Sequence, residues 1–144
     1  MLDRGAHVAI VGGPEERALF STLVERVRDP KCVYNLAGQL PLSELPGLLT
    51  RCALCVGNDS GSKHIAAGLG VPTIGMYSGA VDPHRYRPSG VDALSIMKNT
   101  LFSPCHLGRS DDSPRQMACL TGLSVSAVFD LSCKLLAISY PGRK

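Results

Sequence analysis

Four side chains and backbone positions within residues 59–64 combine groups that can bind a phosphorylated sugar. Asp59 supplies a carboxylate, Ser60 a hydroxyl, Gly61 a backbone without a side chain, and His64 an imidazole. The carboxylate can accept hydrogen bonds from sugar hydroxyls. The hydroxyl and the imidazole are four residues apart, so on a helix they lie on one face, where both can contact an anion. The stretch therefore predicts a site for the phosphate ester of a sugar.

The flanking sequence predicts the elements that position this stretch. Residues 54–57 and 73–76 are largely apolar and predict buried strands, and residues 62–69 predict a helix between them. In parallel α/β sheets, ligands bind beyond the carboxyl ends of the strands. The first amides of the helix lack intrahelical partners and favour an anion. A simpler interpretation is that Asp59 or Ser60 only caps the helix, and the residues alone leave both interpretations open.

The rest of the chain alternates between apolar strands and helical patterns. This order predicts an α/β fold, a Rossmann-like and mostly parallel sheet with helices on both faces and right-handed crossovers. We expect residues 1–139 to form one nucleotide-sugar-binding domain of this kind and residues 140–144 to be a frayed tail. The predicted strands span 7–11, 32–36, 54–57, 73–76 and 93–97, the predicted helices span 14–27, 43–51, 62–69 and 124–138, and residues 78–90 form a predicted loop.

Composition excludes several functional classes. The net charge is +3, aromatic residues make up 5% of the chain and Trp is absent, so neither a basic patch nor a stacking platform for nucleic acid is indicated. The sequence has no run of 18 apolar residues and no apparent signal peptide, so we expect a cytoplasmic protein without a membrane span.

Four of the six cysteines are expected to be structural. Cys52 and Cys55 have the spacing of a redox pair, but a redox pair begins a helix after a strand, whereas these two follow a predicted helix and enter a predicted strand. Cys32 lies just before a predicted strand, and Cys133 lies on the apolar face of the last predicted helix.

Several stretches together resemble one family. Residues 56–67 have the sequence Val-Gly-Asn-Asp-Ser-Gly-Ser-Lys-His-Ile-Ala-Ala. This stretch resembles the most distinctive signature of the heptosyltransferase-like glycosyltransferases of family 9, in their C-terminal, donor-binding domain. The resemblance extends over about residues 7–137. Further matching stretches are Gly-Gly-Pro-Glu at 12–15, Asn-Leu-Ala-Gly at 35–38, Ser-Glu-Leu at 43–45, Gly-Val-Pro-Thr at 70–73 and Asp-Pro at 82–83.

The resemblance implies a two-domain GT-B architecture in which this chain is part of the C-terminal half. It implies a nucleotide-diphosphate sugar, ADP-heptose, as the donor substrate, with no separate cofactor and no metal. The diphosphate would lie on the helix amides with Ser60 and His64, near Gly61, and the sugar hydroxyls on Asp59. Lys63 can add positive charge at the rim, as can Arg85, although we expect both to be solvated surface residues.

The resemblance also implies a second group of site residues, in the turn after the first strand. Gly12 and Gly13, with Glu15 or Glu16, are expected to open onto the same edge of the sheet and contact the nucleoside part of the donor.

Other parts of the family pattern lie outside these 144 residues. The acceptor domain, and the first strand and helix of the donor domain with their phosphate-contacting loop, have no counterpart here. The resemblance assigns the general base to the acceptor domain, so no catalytic residue can be assigned in this chain. We expect residues 1–144 alone to show no turnover and at most weak donor binding. We also expect the missing edge to favour self-association, or pairing with the acceptor domain or another chain. The lipopolysaccharide-type acceptor implies a peripheral location at the inner face of the membrane.

Around the polar loop bounded by Cys105 and Cys119, relatives tend to carry four cysteines. Here Phe102 and Ser113 stand at two of those positions. A four-thiolate zinc site is therefore disfavoured, while a disulfide and a pair of thiols both stay open, with thiols the default in the cytosol.

Two other functions compete with a lipopolysaccharide-directed transferase. One is a truncated or degenerate module that binds a nucleotide sugar, or a partner chain, without catalysis. The other is an unrelated Rossmann-like dinucleotide or flavodoxin-type domain, which is disfavoured because Gly12-Gly13-Pro14 breaks the G-x-G-x-x-G pattern after the first strand.

Overall fold

A computed structural model describes residues 5–78, 83–98 and 118–139. The chain divides into two compact units, Met1–Leu45 and Pro46–Lys144. The predicted tail at 140–144 lies outside the described residues, and so do Asp82 and Cys105. The predictions made for them are therefore not addressed by the structure.

The first unit contains two parallel strands and one helix. Val8 lies opposite Val33 in the pairing of the strands, and Ile10 lies opposite Asn35. In chain order the elements are β1 (Val8–Ile10), a 3₁₀ turn (Pro14–Glu16), α1 (Arg17–Glu25), a second 3₁₀ turn (Pro30–Cys32) and β2 (Val33–Asn35).

The predicted helix over 14–27 is therefore shorter than expected at both ends. Pro14 begins a 3₁₀ turn, a position where its missing N–H costs nothing. At the other end, the amides of Arg26 and Val27 bond to carbonyls three residues back, at 3.2 and 3.1 Å, and this tightens the last turn. Of the apolar residues on α1, Leu19 is 62% and Leu23 is 45% exposed, so this stripe is only partly buried within the described residues.

Gly38 joins the loops that follow the two strands of the first unit. Its amide donates to the carbonyl of Gly12 at 3.0 Å, and its φ of 68° lies in the left-handed region. A Cβ at this position would stand 2.6 Å from the Cα of Pro14. Only glycine fits at this position. Through the hydrogen bond from Gly38, the Asn-Leu-Ala-Gly stretch at 35–38 holds the Gly-Gly turn beside it in place.

The second unit contains a three-stranded parallel sheet in the order β3-β4-β5. The parallel strands and intervening helices confirm the predicted α/β class, although the described strands form two separate sheets, one in each unit. After α2 (Leu45–Leu49), which spans the boundary between the units, the elements are β3 (Cys55–Asn58), α3 (Gly61–Gly68), β4 (Thr73–Met76), α4 (Pro83–Tyr86), β5 (Ala93–Ile96), α5 (Ala118–Thr121) and α6 (Val125–Ser139).

Two local differences from the predicted elements bear on the site. β3 continues to Asn58, one residue further than predicted, because Asn58 still pairs with Met76. The predicted loop over 78–90 contains the short helix α4, whose pattern is too brief to show a helical period.

The core of the second unit is formed by one face of α3, by β4 and by the C-terminal helices. Ser124 caps α6, its hydroxyl accepting from the amide of Ala127 at 3.1 Å. At the other end of α6, Ser139 donates to Asp92 at 2.9 Å, just before β5. The buried residues of this unit are Leu49, Lys63, Ala66, Ala67, Val71, Pro72, Thr73, Ile74, Gly75, Tyr77, Pro88, Cys119, Ser132 and Leu135.

Candidate functional site: the turn between β3 and α3

The turn from β3 into α3 brings four of the predicted site residues together at the carboxyl end of a parallel strand. Ser60 occupies the N-cap position with an extended backbone (φ −141°, ψ 163°), and the helix begins at Gly61. Ser60 makes no capping hydrogen bond; its hydroxyl lies 2.9 Å from that of Ser62 instead. The simple capping interpretation thus fails for the Ser60 side chain, and the first-turn amides receive no bond from it.

The surface of this turn is open. Ser60, Gly61 and His64 are all exposed. A Cβ at Gly61 would meet no atom within 4 Å. Among the described residues, the imidazole of His64 makes no hydrogen bond. A ligand therefore has access to the helix amides, to the Ser60 hydroxyl and to the imidazole.

Lys63 contradicts the prediction that it is a solvated surface residue. It is buried with a relative exposure of 0%. It shares a helix face with Ala66 and Ala67, three and four residues on, which are also buried. The spacing places this face toward the core, and the charge does not override it because the ammonium finds partners there. Arg85 is exposed, as predicted.

The ammonium of Lys63 lies at the centre of a buried polar network. It forms an ion pair with Oδ1 of Asp59, and it donates to the hydroxyl of Tyr77 at 2.5 Å and to the carbonyl of Tyr86 at 3.1 Å. The Tyr77 hydroxyl donates in turn to the same Tyr86 carbonyl at 2.5 Å. The ammonium also lies 4.0 Å from the centre of the Tyr77 ring. The Asp59 carboxylate is thus engaged within the protein rather than acting as a helix cap.

Residues 12–16 form a second cluster, after β1 in the first unit. The amide of Gly13 donates to Oε2 of Glu16 at 2.9 Å, and the amide of Glu16 donates to the carbonyl of Gly13 at 3.1 Å. Glu16 therefore closes the start of its own helix. The Glu15 carboxylate is exposed and accepts no hydrogen bond from the described residues. The two glutamates that the sequence leaves as alternatives thus differ in their availability to a ligand.

Each group of predicted site residues is therefore assembled within its own unit. Gly12, Gly13, Glu15 and Glu16 follow β1, and Asp59, Ser60, Gly61 and His64 follow β3. That both groups open onto one edge and contact one donor stays a prediction.

Three participants in the Lys63 network were missed by sequence reasoning, namely Lys63 itself, Tyr77 and the carbonyl of Tyr86. Only the first had a usable signal, because Lys63 lies four residues after Asp59 and shares its helix face with two alanines. The other two lie 14 and 23 residues away in sequence, and no local pattern connects them with the turn.

Cys32, Cys52 and Cys55 have the character of structural thiols. Cys52 and Cys55 are half-buried, and Cys52 donates to the carbonyl of Leu48 at 3.4 Å. Burial raises the pKa of the Cys55 thiol, and the neighbouring Cys52 raises it further. Burial likewise raises the pKa of Cys52. For Cys32 the pKa is raised by burial, by the charge of Asp29 and by a hydrogen bond to it.

Two features are absent from the described residues, namely a metal-binding cluster and a membrane-spanning helix. Within residues 5–78, 83–98 and 118–139, no three His, Cys, Asp or Glu side chains cluster as a metal ion would need. Nor is any helix in this part of the chain both long and apolar enough to cross a bilayer.

Comparison with known proteins decides the family. The sequence profile described as Glycosyltransferase family 9 (heptosyltransferase) matches residues 1–111, most of the 144. The chain belongs to glycosyltransferase family 9. The resemblance based on residues 56–67 is thereby confirmed.

Curated relatives of this family 9 chain are considerably longer than the chain itself. It is 35% identical over 102 residues to the lipooligosaccharide heptosyltransferase 2 of Haemophilus influenzae. The matched region covers 68% of this chain and 28% of that protein. It is 33% identical over 87 residues to the lipopolysaccharide heptosyltransferase 3 of Escherichia coli. Here the matched region covers 59% of this chain and 25% of that protein. The matched parts thus span about a quarter of each relative's length.

Solved structures confirm the fold expected of a family 9 protein. A glycosyl transferase of family 9 from Veillonella parvula superposes with a TM-score of 0.74 at 24% identity, over 93% of this chain and 37% of that one. The ADP-heptose LPS heptosyltransferase II of E. coli superposes with a TM-score of 0.71 at 23% identity, over 95% of this chain and 38% of that one. Both likenesses extend over nearly all of the family 9 chain described above.

Proposed function

We propose that this chain is the donor-binding portion of a glycosyltransferase that transfers heptose from ADP-heptose to a lipopolysaccharide-type acceptor. Family membership supports a glycosyl transfer. Its relatives include lipooligosaccharide and lipopolysaccharide heptosyltransferases, which supports heptose as the transferred sugar and a lipopolysaccharide-type acceptor. The proposed place of action is the cytoplasm, at the inner face of the membrane where such an acceptor is available.

The observation that carries the proposal is the open turn between β3 and α3. It lies at the carboxyl end of a parallel strand, where open α/β sheets bind ligands. Its first helix amides receive no cap from Ser60, and no side chain at Gly61 obstructs an approaching anion. The partial positive charge of the helix N-terminus favours the donor diphosphate, with the Ser60 hydroxyl and His64 as further donors.

Asp59 is the proposed ligand of the heptose hydroxyls. Its Oδ1 pairs with Lys63, while Oδ2 accepts no hydrogen bond from the described residues. The side chain is 29% exposed, so Oδ2 is available to a hydroxyl group of the sugar. A hydrogen bond to an ionised carboxylate is about twice as strong as one between neutral groups, which suits recognition of a polyol.

Glu15 is the proposed ligand of the nucleoside part, in preference to Glu16. A ribose presents two adjacent hydroxyls, and an exposed carboxylate without a protein partner can accept from both. Glu16 already accepts from Gly13 at 2.9 Å, so binding a nucleoside would break the start of its own helix.

Transfer also needs a base to take the proton of the acceptor hydroxyl, held in line with the anomeric carbon. The family resemblance assigns that base to the acceptor domain, and we assign no catalytic residue within residues 1–144. The competing function, a non-catalytic nucleotide-sugar-binding module, shares the donor site and differs only in turnover.

Calorimetric titration of residues 1–144 tests the donor site. We expect ADP-heptose to bind more tightly than ADP, because the sugar adds the contacts of Asp59, and ADP to bind more tightly than adenosine, because the diphosphate adds the contacts of α3. Equal binding of all three ligands, or no binding of ADP-heptose at concentrations of about 1 mM, corresponding to roughly 4 kcal/mol, would contradict the proposal.

A further inference from the structure

The buried ammonium of Lys63 has all of its hydrogen-bonding capacity satisfied by protein. A lysine ammonium has three protons to donate. Here they find three acceptors, Oδ1 of Asp59, the Tyr77 hydroxyl and the Tyr86 carbonyl. Since Lys63 is 0% exposed, no water is needed to complete the set. A buried charge persists only when it is paired and hydrogen-bonded, and this one is both.

The core fixes the position of Lys63, and Lys63 in turn fixes the position of Asp59. The ammonium is held from three directions and by the face of the Tyr77 ring at 4.0 Å, so its position is set by the core. Asp59, in contrast, lies in a turn and is held there by one carboxylate oxygen. Without Lys63 the carboxylate would be free to rotate toward solvent. The lysine therefore determines where Oδ1, and with it Oδ2, is located.

The same contacts connect the turn to a second segment. The carbonyl of Tyr86 is the last in α4 and lacks a partner within that short helix. It accepts from both Lys63 and Tyr77. The segment that begins at Pro83 is thereby tied to the start of α3 through one buried ammonium.

We propose that Lys63 is a positioning residue for the sugar end of the donor: it holds Asp59 through Oδ1 so that Oδ2 is left to accept from a sugar hydroxyl. This inference rests on the proposed donor site. It assigns to Lys63 no contact with the substrate. Its effect on binding passes entirely through Asp59, and this separates it from a lysine that merely stabilises the fold.

The test is a binding comparison of Lys63→Met, Asp59→Asn and the double variant, with ADP-heptose and ADP as ligands. Methionine keeps the length and apolar stem of the lysine but removes the charge. We expect Lys63→Met to weaken ADP-heptose binding by about tenfold, the worth of one hydrogen bond to a charged group, with little effect on ADP. The double variant should bind ADP-heptose no more weakly than Asp59→Asn alone.

Two further variants keep this test decisive. Lys134→Met removes an exposed lysine from α6 in the same unit and should bind both ligands as the unsubstituted chain does. Tyr77→Phe keeps the ion pair and the ring but removes one acceptor of the ammonium, so it should weaken ADP-heptose binding in the same direction and by less. It replaces Lys63→Met in the comparison if that variant does not fold.

Wild-type affinity for ADP-heptose in folded Lys63→Met, or in Tyr77→Phe when it stands in for that variant, would overturn the inference. So would losses that multiply in the double variant, since they would show that Lys63 acts independently of Asp59. If the unsubstituted chain binds neither ligand, the proposed function fails instead. The part of the inference that does not need a ligand, that Lys63 holds Asp59, is then decided by unfolding of the same set. The destabilisation of the double variant should be less than the sum of the singles, and strictly additive values would overturn that part as well.

Discussion

The ring of Tyr77 lies over Gly75, two residues earlier on the same side of the chain. A Cβ at Gly75 would stand 2.8 Å from a ring carbon of Tyr77 and 3.0 Å from its hydroxyl oxygen. Tyr77 is completely buried and donates to the carbonyl of Tyr86. The missing side chain at Gly75 is therefore what allows the phenol to reach the Lys63 ammonium.

Gly75→Ala should displace this ring and lower the free energy of unfolding by about 1–3 kcal/mol, the usual cost of overpacking a core. Chemical denaturation measures it. Gly68→Ala is the matched control, because Gly68 is the last residue of α3 and a Cβ there meets nothing within 4 Å. The control should leave stability unchanged or raise it by up to about 1 kcal/mol. Equal effects of the two changes would contradict the packing described for Tyr77.

The two glutamates after β1 should separate stability from binding. Glu16→Ala removes the acceptor of the Gly13 amide and should cost about 1 kcal/mol of folding stability. Glu15→Ala should change stability by less than about 0.5 kcal/mol, as for an exposed side chain without partners, and should weaken ADP and ADP-heptose alike. Glu16→Gln keeps the acceptor and serves as the control. A Glu16→Ala loss confined to ligand affinity would reverse the assignment.

The half-buried thiol of Cys55 should make stability fall at alkaline pH. The pKa of the Cys55 thiol is raised in the folded protein above its ordinary value of 9.0, which the thiol keeps in the unfolded chain. Above that pH the unfolded chain binds fewer protons, so its population grows. The contribution is fully present below the unfolded pKa and is lost as pH rises through the folded one. The free energy of unfolding, measured by chemical denaturation from pH 7 to 10, should therefore fall less steeply with pH for Cys55→Ala than for the unsubstituted chain. An equal pH dependence of the two proteins would contradict this.

Residues 1–144 alone should show no glycosyl transfer. Donor binding supplies only one side of the reaction, and no group within the chain is assigned to take the acceptor's proton. An assay with ADP-heptose, other nucleotide sugars and lipopolysaccharide-core acceptors checks this. Clear turnover by a monodisperse monomer of the 144 residues would show that the chain carries its own base.

The sequence predicted the elements around the turn well because their signals are local. The apolar residues before Asn58 and after Gly70 mark strands, and the small residues between them mark a helix. The solvent exposure of Lys63 was predicted wrongly. Residue type favours exposure for lysine, whereas its position on the Ala66 face of α3 favours burial. The position on the helix outweighed the residue type, and Lys63 is buried.

The contacts of the site that the sequence did not predict are made by residues far apart in the chain. Tyr77 and Tyr86 contact Lys63 only after β4 and α4 have packed, so neither could be assigned from spacing. The choice between Glu15 and Glu16 was likewise open in the sequence. It depends on which carboxylate the Gly13 amide meets, and this is a matter of the geometry of the turn.

The central claim, that the turn after β3 binds the sugar end of a nucleotide-sugar donor, is tested most directly by Asp59→Asn. Both asparagine and alanine remove the counter-ion of Lys63, but asparagine keeps an acceptor for the buried ammonium, whereas alanine would leave one of its protons without a partner. In the asparagine variant, Lys63 can only donate, so the amide oxygen turns toward it and the NH₂ group replaces Oδ2 as the group left for the ligand.

Calorimetric titration with two ligands then gives the answer. We predict that Asp59→Asn weakens ADP-heptose binding by about tenfold or more, the worth of a charge-assisted hydrogen bond, because the NH₂ group cannot accept from a sugar hydroxyl. ADP binding should be unchanged. Equal affinity of the variant and the unsubstituted chain for ADP-heptose would remove Asp59 from the site and contradict the account.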